Sequence, residues 1–451
     1  MRIPLSRLVC GIAVLTGVGW SVAPTAGAAP APAPQVFRFN SGSDDRAFAQ
    51  AVDAAGNSYL AGSVHTAGNP VTFAVVKLNP QGGLVWRHTY SGSGGGVFGV
   101  ATAVAVDPAG NVYAAGSVTE SASSRAQNEL VVKLGPDGTE QWARRTGNAG
   151  GLDFAVRIAL GPAGEVYVGA NSFGAGTGMD WLTQQYGPDG TLRWSRRFSG
   201  PGADADQLID LAVTPGGTLA VTGMATLTGD GVTNDIVTLE YDPQGGTVWQ
   251  RQFSDTAISD DMPADLAVSA TGTVVVTGIS NLNASPENTV TGPVTLRYDA
   301  AGTPLPVIRS GGAAVHLDQA GSLYLAGSLN QAPGNSTVSR FGPAGDPVWS
   351  TPLPLAAGDL FTIAGIVVDA AGTVTLAGTV DNQPTVNRDY LTIRYSPAGQ
   401  ELWRQRFDGR GQTREDTVAG IALVGTAVLV AGTSSSTILS AREDMVELRF
   451  S

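Results

Sequence analysis

The chain has 451 residues, 60 of them glycine and 26 proline, with 14% charged side chains and a net charge of −12. An acidic balance argues against a nucleic-acid partner, because phosphate contacts need clustered Lys and Arg, and the glycine and proline content points to short strands and tight turns. Beyond the first 28 residues no apolar run is long enough to span a bilayer as a helix.

Residues 1–28 carry Arg2 and Arg7, an apolar run from Leu8 to Trp20, and a small-residue site at Ala26-Gly27-Ala28. This is the layout of a secretory signal peptide, and cleavage is expected after Ala28. Cys10, the single cysteine, falls inside that segment at a place unsuited to lipid anchoring. The mature chain is then expected to be exported (secreted, periplasmic or held at the cell surface), without direct membrane insertion, and to fold around its core without disulfides. Removing Arg2 and Arg7 takes its net charge from −12 to −14. Residues 29–35, APAPAPQ, read as an extended lead-in.

From residue 36 the chain is repetitive. A glycine closes the second strand of each unit at Gly62, Gly116, Gly223, Gly278, Gly327, Gly378 and Gly432, with Ala170 in the third place, giving eight units of about 53 residues. Apolar segments of four to seven residues, separated by turn signals, predict four strands per unit. In the first unit they include 48–52, 58–61, 73–78 and 84–90. The turns between first and second strands carry Gly56, Gly110, Gly164, Gly217, Gly272, Gly321 and Gly372; those between third and fourth read NPQG, GPDG, GPDG, DPQG, DAAG, GPAG and SPAG. Proline presets one turn dihedral and glycine accepts a positive one. The pattern predicts an all-β, eight-bladed propeller of four-stranded antiparallel blades, a single domain over 36–451.

The ends of the chain sharpen this. Val36-Phe37-Arg38-Phe39-Asn40 resembles the fourth-strand endings near 196–200 and 404–409, whereas the C-terminal MVELRFS stops where a third strand should stop. The N-terminal strand, 36–40, is therefore expected to pair with 445–450 and close the last blade, removing an open edge.

The combination D-x-x-G-N-x-Y-x-x-G, a variable loop, and a strand ending in K-L-x-P-x-G-x-x-x-W resembles the bacterial β-propeller repeat family often called SBBP. The resemblance covers 36–451 and implies an exported propeller, without assigning catalytic residues. Unit five departs from it, having Pro304-Leu305-Pro306 where Trp is expected, and unit six is short; that seam is expected to be the weakest in the ring.

Trp86, Trp142, Trp194, Trp249, Trp349 and Trp403 recur at one repeat position and read as packing between blades. Trp181 stands apart, beside a variable loop, and is a candidate for exposure. Asp45, Asp153, Asp206 and Asp261 precede first strands, while Asp180, Asp235, Asp389 and Asp444 open third strands; both connections emerge on one face, expected to be acidic. Loop capping is the favoured role for these carboxylates and ligand or Ca2+ binding the sharper one, although no run of alternating oxygen ligands is present and Asp230–Asp235 is a weak approach to one. Arg157, Asp210 and Asp265 share one first-strand position in successive blades; an ion pair between blades is favoured there over an acid–base site at the channel mouth. Lys77, Lys133, Glu240, Arg297, Arg340, Arg394 and Arg449 form a row at the penultimate place of third strands, read as structural or solvated.

His65, His88 and His316 are scattered over different repeat positions, and neither a nucleophile elbow nor a phosphate-binding loop is present. Two functions remain open. One is a non-catalytic, monomeric binding or scaffold module for a protein or carbohydrate, using the loops 63–72, 117–128, 224–234 and 379–388, which vary on a constant frame. The other is an enzyme resembling the eight-bladed quinoproteins, whose tryptophan spacing Gly138–Trp142 and Gly190–Trp194 resembles; the mature chain's lack of cysteine counts against it.

Overall fold

Local turn chemistry sets the strand boundaries. In the first unit Asp53 Oδ1 accepts the N–H groups of Ala55 and Asn57 at 3.0 and 2.9 Å, while Oδ2 accepts the Asn57 amide and the Tyr59 hydroxyl at 2.7 and 2.9 Å. Asp107, Asn111 and Tyr113 repeat the arrangement in the second unit. Gly56 and Gly110 sit at φ +83°, which disfavours side chains. The D-x-x-G-N-x-Y signature is thus a self-bonded turn.

The computed structural model describes residues 30–451 apart from 66–70, 91–97, 120–125, 148–150, 175, 202–205, 227–232, 257–258, 284–288, 328–335, 357, 383–386, 410–415 and 436–441. The expected signal segment, the first half of Asp230–Asp235 and parts of the variable loops lie outside the described residues. Within them the chain is all-β, without helices. Blade one comprises Asp45–Val52, Ser58–Val64, Thr72–Leu78 and Leu84–Tyr90, paired in that order and antiparallel. Eight such sheets form a ring. The inner strands touch in succession, and that of blade eight, Thr417–Val424, closes on that of blade one. We call the face carrying the outer-to-inner connections and the variable loops the upper face, and the other the lower face.

The core lies between blades. Tyr113, Val131 and Trp142 of blade two pack with Ala155, Val166, Val168 and Tyr186 of blade three. The second and third strands of blade one are buried almost throughout, whereas its outer strand is largely exposed.

The recurring anchor glycine follows from a distortion of the inner strand. A β-bulge between Ala47 and Ala49 brings the Arg46 carbonyl over Gly62, where a Cβ would lie 1.8 Å from that oxygen. Gly432 has the same relation to Thr417 O, at 1.9 Å. Only glycine tolerates so close a backbone approach.

Ring closure occurs as expected, one residue earlier at its start. Gln35–Phe39 pairs antiparallel with Glu443–Phe450, in register from Gln35↔Arg449 to Phe39↔Met445. Asn40 Nδ2 donates to Asp444 at 2.5 Å, and Arg38 lies 3.5 Å from the same carboxylate. Blade five is the least regular. Its first three strands are Ser259–Val268, Val274–Asn283 and Thr289–Tyr298, but the fourth place is taken by a segment held through isolated bridges at Pro304 and Ile308. Pro304 and Pro306 have no N–H to give a ladder, which accounts for this.

Candidate functional site

The repeated tryptophans form an inter-blade latch. Trp86, Trp142, Trp194 and Trp349 donate Nε1–H to the carbonyls of Pro136, Pro188, Pro243 and Pro397 of the following blade, at 2.9 to 3.1 Å. Their rings lie on the turn glycines, so that a Cβ on Gly138 would be 2.7 Å from Trp86. Trp249 rests on Gly302 without a bonded Nε1, and Trp403 stacks on Phe450 at 5.1 Å.

The two aspartate sets are buried rather than displayed. Asp45, Asp153, Asp206, Asp261, Asp180, Asp235, Asp389 and Asp444 are each at most 3% exposed. In the first set the carboxylate ties the incoming connection to its own blade: Asp45 accepts the N–H and hydroxyl of Ser41 at 2.5 and 2.6 Å, Asp206 the N–H groups of Gly200 and Thr226 at 2.5 and 3.2 Å, and Asp261 the Asp255 N–H and Ser259 hydroxyl, both at 2.9 Å. In the second set the donor comes from the outer strand: Arg197 to Asp180 at 2.9 Å, Gln252 to Asp235 at 2.6 Å and Arg406 to Asp389 at 2.5 Å. The Arg38 contact to Asp444 is the same device, supplied by the N-terminal strand. Burial pushes the Asp45 and Asp389 carboxyls up, against their hydrogen bonds.

Trp181 is fully buried, contrary to the expectation of exposure. Its ring lies 4.6 Å from Phe198 and reaches across to blade four, where a Cβ on Gly223 would lie 2.5 Å away, and its Nε1–H meets Met224 O at 3.3 Å. The side chain points along the strand alternation into the next blade, not toward the loop that precedes it.

Arg157, Asp210 and Asp265 do meet. Arg157 Nε donates to Asp210 Oδ1 at 2.9 Å; Asp210 Oδ2 accepts Leu266 N–H at 3.0 Å; Asp265 Oδ2 accepts Val315 N–H at 2.8 Å. Burial, with the charge of Asp210, holds the Asp265 carboxyl well above its usual range. Each side chain thus stitches its inner strand to the next, from blade three through blade six. The equivalent positions in other blades are Ala49, Ala103, Ala314, Gly365 and Gly420. Asp210→Ala is expected to destabilise the protein by roughly 2–4 kcal/mol in denaturant unfolding, since it strands Arg157 and an inter-blade amide.

Besides Glu447, which is ion-paired with Arg449 at 2.6 Å, two buried carboxyl groups lie outside the residues singled out from sequence. Asp416 is the blade-eight counterpart of Asp45, accepting the N–H groups of Gly409 and Ser435 at 2.6 and 3.1 Å; the shifted turn glycine, Gly425, hides its place in the repeat. Asp389, Asp408 and Asp416 bring one oxygen each within 4.8 Å. Arg406 and two backbone amides already occupy lone pairs of Asp389 and Asp416, which makes this a poor donor set for Ca2+. The other group is Glu129, on the third strand of blade two, Gln127–Leu134, and 1% exposed. Its burial and the nearby charge of Asp153 push its carboxyl up to about 8.

An open site is present on the upper face between blades one and two. Asp44, Arg46, Phe48, Ser63, His65, Val71, Phe98 and Val100 line a cleft of about 230 Å³. Phe48, on the inner strand of blade one, is 44% exposed, unusual for a ring there, and Phe98, just before the inner strand of blade two, is 38% exposed. Phe48 occupies the bulge of its strand, which turns it out of the core alternation. Asp44 and Arg46 are tied to blade eight through Glu443, and the Asp44 carbonyl accepts His65 N–H at 2.9 Å. The cleft therefore has apolar walls and a fixed polar rim.

No family model and no curated protein matches this chain. Among solved structures, the WD40 domain of SCAP from fission yeast superposes with a TM-score of 0.50 at 8% identity, covering 92% of this chain and 98% of that one. Puromycin hydrolase gives 0.47 at 14% identity, over 92% of this chain and 63% of that one. The first of these likenesses supports a β-propeller with eight blades. It establishes the fold alone.

Proposed function

We propose that the protein is an exported, non-catalytic propeller that binds a carbohydrate through the upper cleft between blades one and two. The observation that carries this reading is the pair Phe48 and Phe98, two rings left part-exposed beside Arg46, Ser63 and His65. A sugar ring offers a C–H face that packs on an aromatic ring and hydroxyls that need donors and acceptors, the combination this cleft provides. Ser63, His65 and Val71 come from one of the variable stretches on the otherwise constant frame, as expected of a binding loop. In this reading residues 1–28 are removed on export, the mature chain acts as a monomer, and the buried aspartates hold the frame around the site.

The test is a glycan microarray, followed by affinity electrophoresis in gels containing the polysaccharides that score. The purified protein is expected to bind a restricted set of glycans, and Phe48→Ala combined with Phe98→Ala to weaken binding about tenfold or more without lowering the melting temperature. Binding of no glycan by the wild type, or equal binding by the double variant, overturns the reading. The second reading, a quinoprotein-like enzyme, draws on the tryptophan spacing Gly138–Trp142 and Gly190–Trp194; a quinone absorption band with Ca2+-dependent dye reduction would favour it.

A further inference from the structure

On the lower face, a latch tryptophan fills six of the junctions between blades, and at blades one–two and two–three the penultimate residue of the third strand crosses the junction as well. Lys77, Lys133 and Arg449 donate to the turn carbonyls of Pro136, Pro188 and Pro80 at 3.3, 3.0 and 2.6 Å. Gln185, Arg340 and Arg394 bond to Tyr167, Ser322 and Asp369, and Glu240 accepts the Thr218 hydroxyl. The junction between blades five and six has no tryptophan, because Pro304-Leu305-Pro306 stands in its place. Arg297 moves into the vacated room: a Cβ on Gly345 would lie 1.8 Å from its Nη1, where other junctions bring a tryptophan against the turn glycine.

Arg297 is 4% exposed and, alone among the described members of its row, makes no hydrogen bond. It lines a cavity of about 180 Å³ whose wall also includes Ser269, Thr273 and Gln319. The Ser269 Oγ accepts the N–H groups of Thr271 and Thr273 and shares a hydrogen bond with the Thr271 hydroxyl at 3.0 Å, and Thr273 and Gln319 add neutral donors to the wall. Desolvation lowers Arg297 from the usual guanidinium range, with the charge of Asp346 opposing. A buried guanidinium without a bonded partner is costly, and an anion able to accept two parallel N–H bonds would relieve it.

We propose that this cavity between blades five and six binds a small oxyanion, of the carboxylate, sulfate or phosphate class, on the Arg297 guanidinium. The volume admits a compact anion and no extended chain, and the site lies on the opposite face from the aromatic cleft. It is independent of what that cleft binds.

Isothermal titration of the purified protein with acetate, sulfate and phosphate, at constant ionic strength balanced with chloride, tests this and separates the three sources. At least one anion is expected to bind saturably, with affinity reduced about tenfold or more in Arg297→Gln, partly kept in Arg297→Lys and unchanged in Arg340→Gln. In chloride alone Arg297→Gln is expected to melt above the wild type, because it removes a buried charge that has no hydrogen-bonded partner; a purely structural arginine would give the reverse. Absence of saturable binding to all three anions, equal affinity in Arg297→Gln, or a lower melting temperature for that variant in chloride overturns the proposal. Should Arg297→Gln fail to fold, the wild-type titration and Arg297→Lys decide it in the same way.

Discussion

Deletion of residues 29–41 is expected to destabilise the protein by on the order of 5 kcal/mol, seen as a markedly lower melting temperature. Phe39 is only 6% exposed, and burial of an aromatic side chain of this kind contributes about 2 kcal/mol. The deletion also strips Asp444 of Arg38 and Asn40, and Asp45 of both Ser41 donors, leaving two buried carboxylates short of partners. Breaking one such buried arrangement costs about 3–5 kcal/mol by itself. It further exposes Glu443–Phe450 as an open edge, inviting association between copies. An unchanged melting temperature would contradict closure of the ring by the N-terminal strand.

Glu129→Gln is expected to stabilise the protein at alkaline pH by about 2–4 kcal/mol and to leave it nearly unchanged at pH 4. The outer end of the Gln184 amide lies 3.0 Å from both Glu129 carboxyl oxygens and from the Tyr186 hydroxyl. A protonated Glu129 can donate to the Gln184 carbonyl, which also accepts the Tyr186 O–H at 3.0 Å, while the Gln184 amide nitrogen faces Thr146 at 3.4 Å. Every polar atom of that amide is then used without rotating it. The folded carboxyl titrates at about 8, against the usual 4.5. Because the folded value is the higher one, this group's contribution is complete below pH 4.5 and declines as pH rises through 8. Glutamine has the same shape and no proton to lose, so the stability curves of wild type and variant should diverge over that window. Parallel curves from pH 4 to 9 would falsify the assignment of a neutral Glu129.

The parts of this protein that were legible in its sequence are those governed by short-range chemistry. Asp53, Gly56, Asn57 and Tyr59 are neighbours in the chain and in the turn, so their spacing reports their bonding directly. Ring closure was legible because Arg38 and Phe39 copy an outer-strand ending found elsewhere. Arg157, Asp210 and Asp265 stood out as polar side chains at a position that five other blades give to Ala or Gly. What spacing does not report is which neighbour a side chain meets across a blade junction. Trp181 follows a variable loop in the chain but packs on Gly223 of the next blade, and the aspartates near the loops turn inward to amides and arginines. Phe48 and Phe98 were hidden for the opposite reason: an aromatic residue in an alternating strand reads as core, and only the bulge turns Phe48 outward. Arg297 was visible as one member of a cationic row; its distinct environment depends on the missing tryptophan several residues later.

A division of labour follows, in which repeated residues hold the ring and the departures from repetition provide its two candidate binding places. The measurement that tests this most directly is hydrogen exchange, read by mass spectrometry, on the protein with and without a glycan selected from the microarray. Protection is expected to concentrate in residues 44–48, 63–65, 71–72 and 98–100, the described segments around the upper cleft. Protection confined to other blades or to the lower face, with these segments exchanging at their free rates, would contradict the placement of the ligand site.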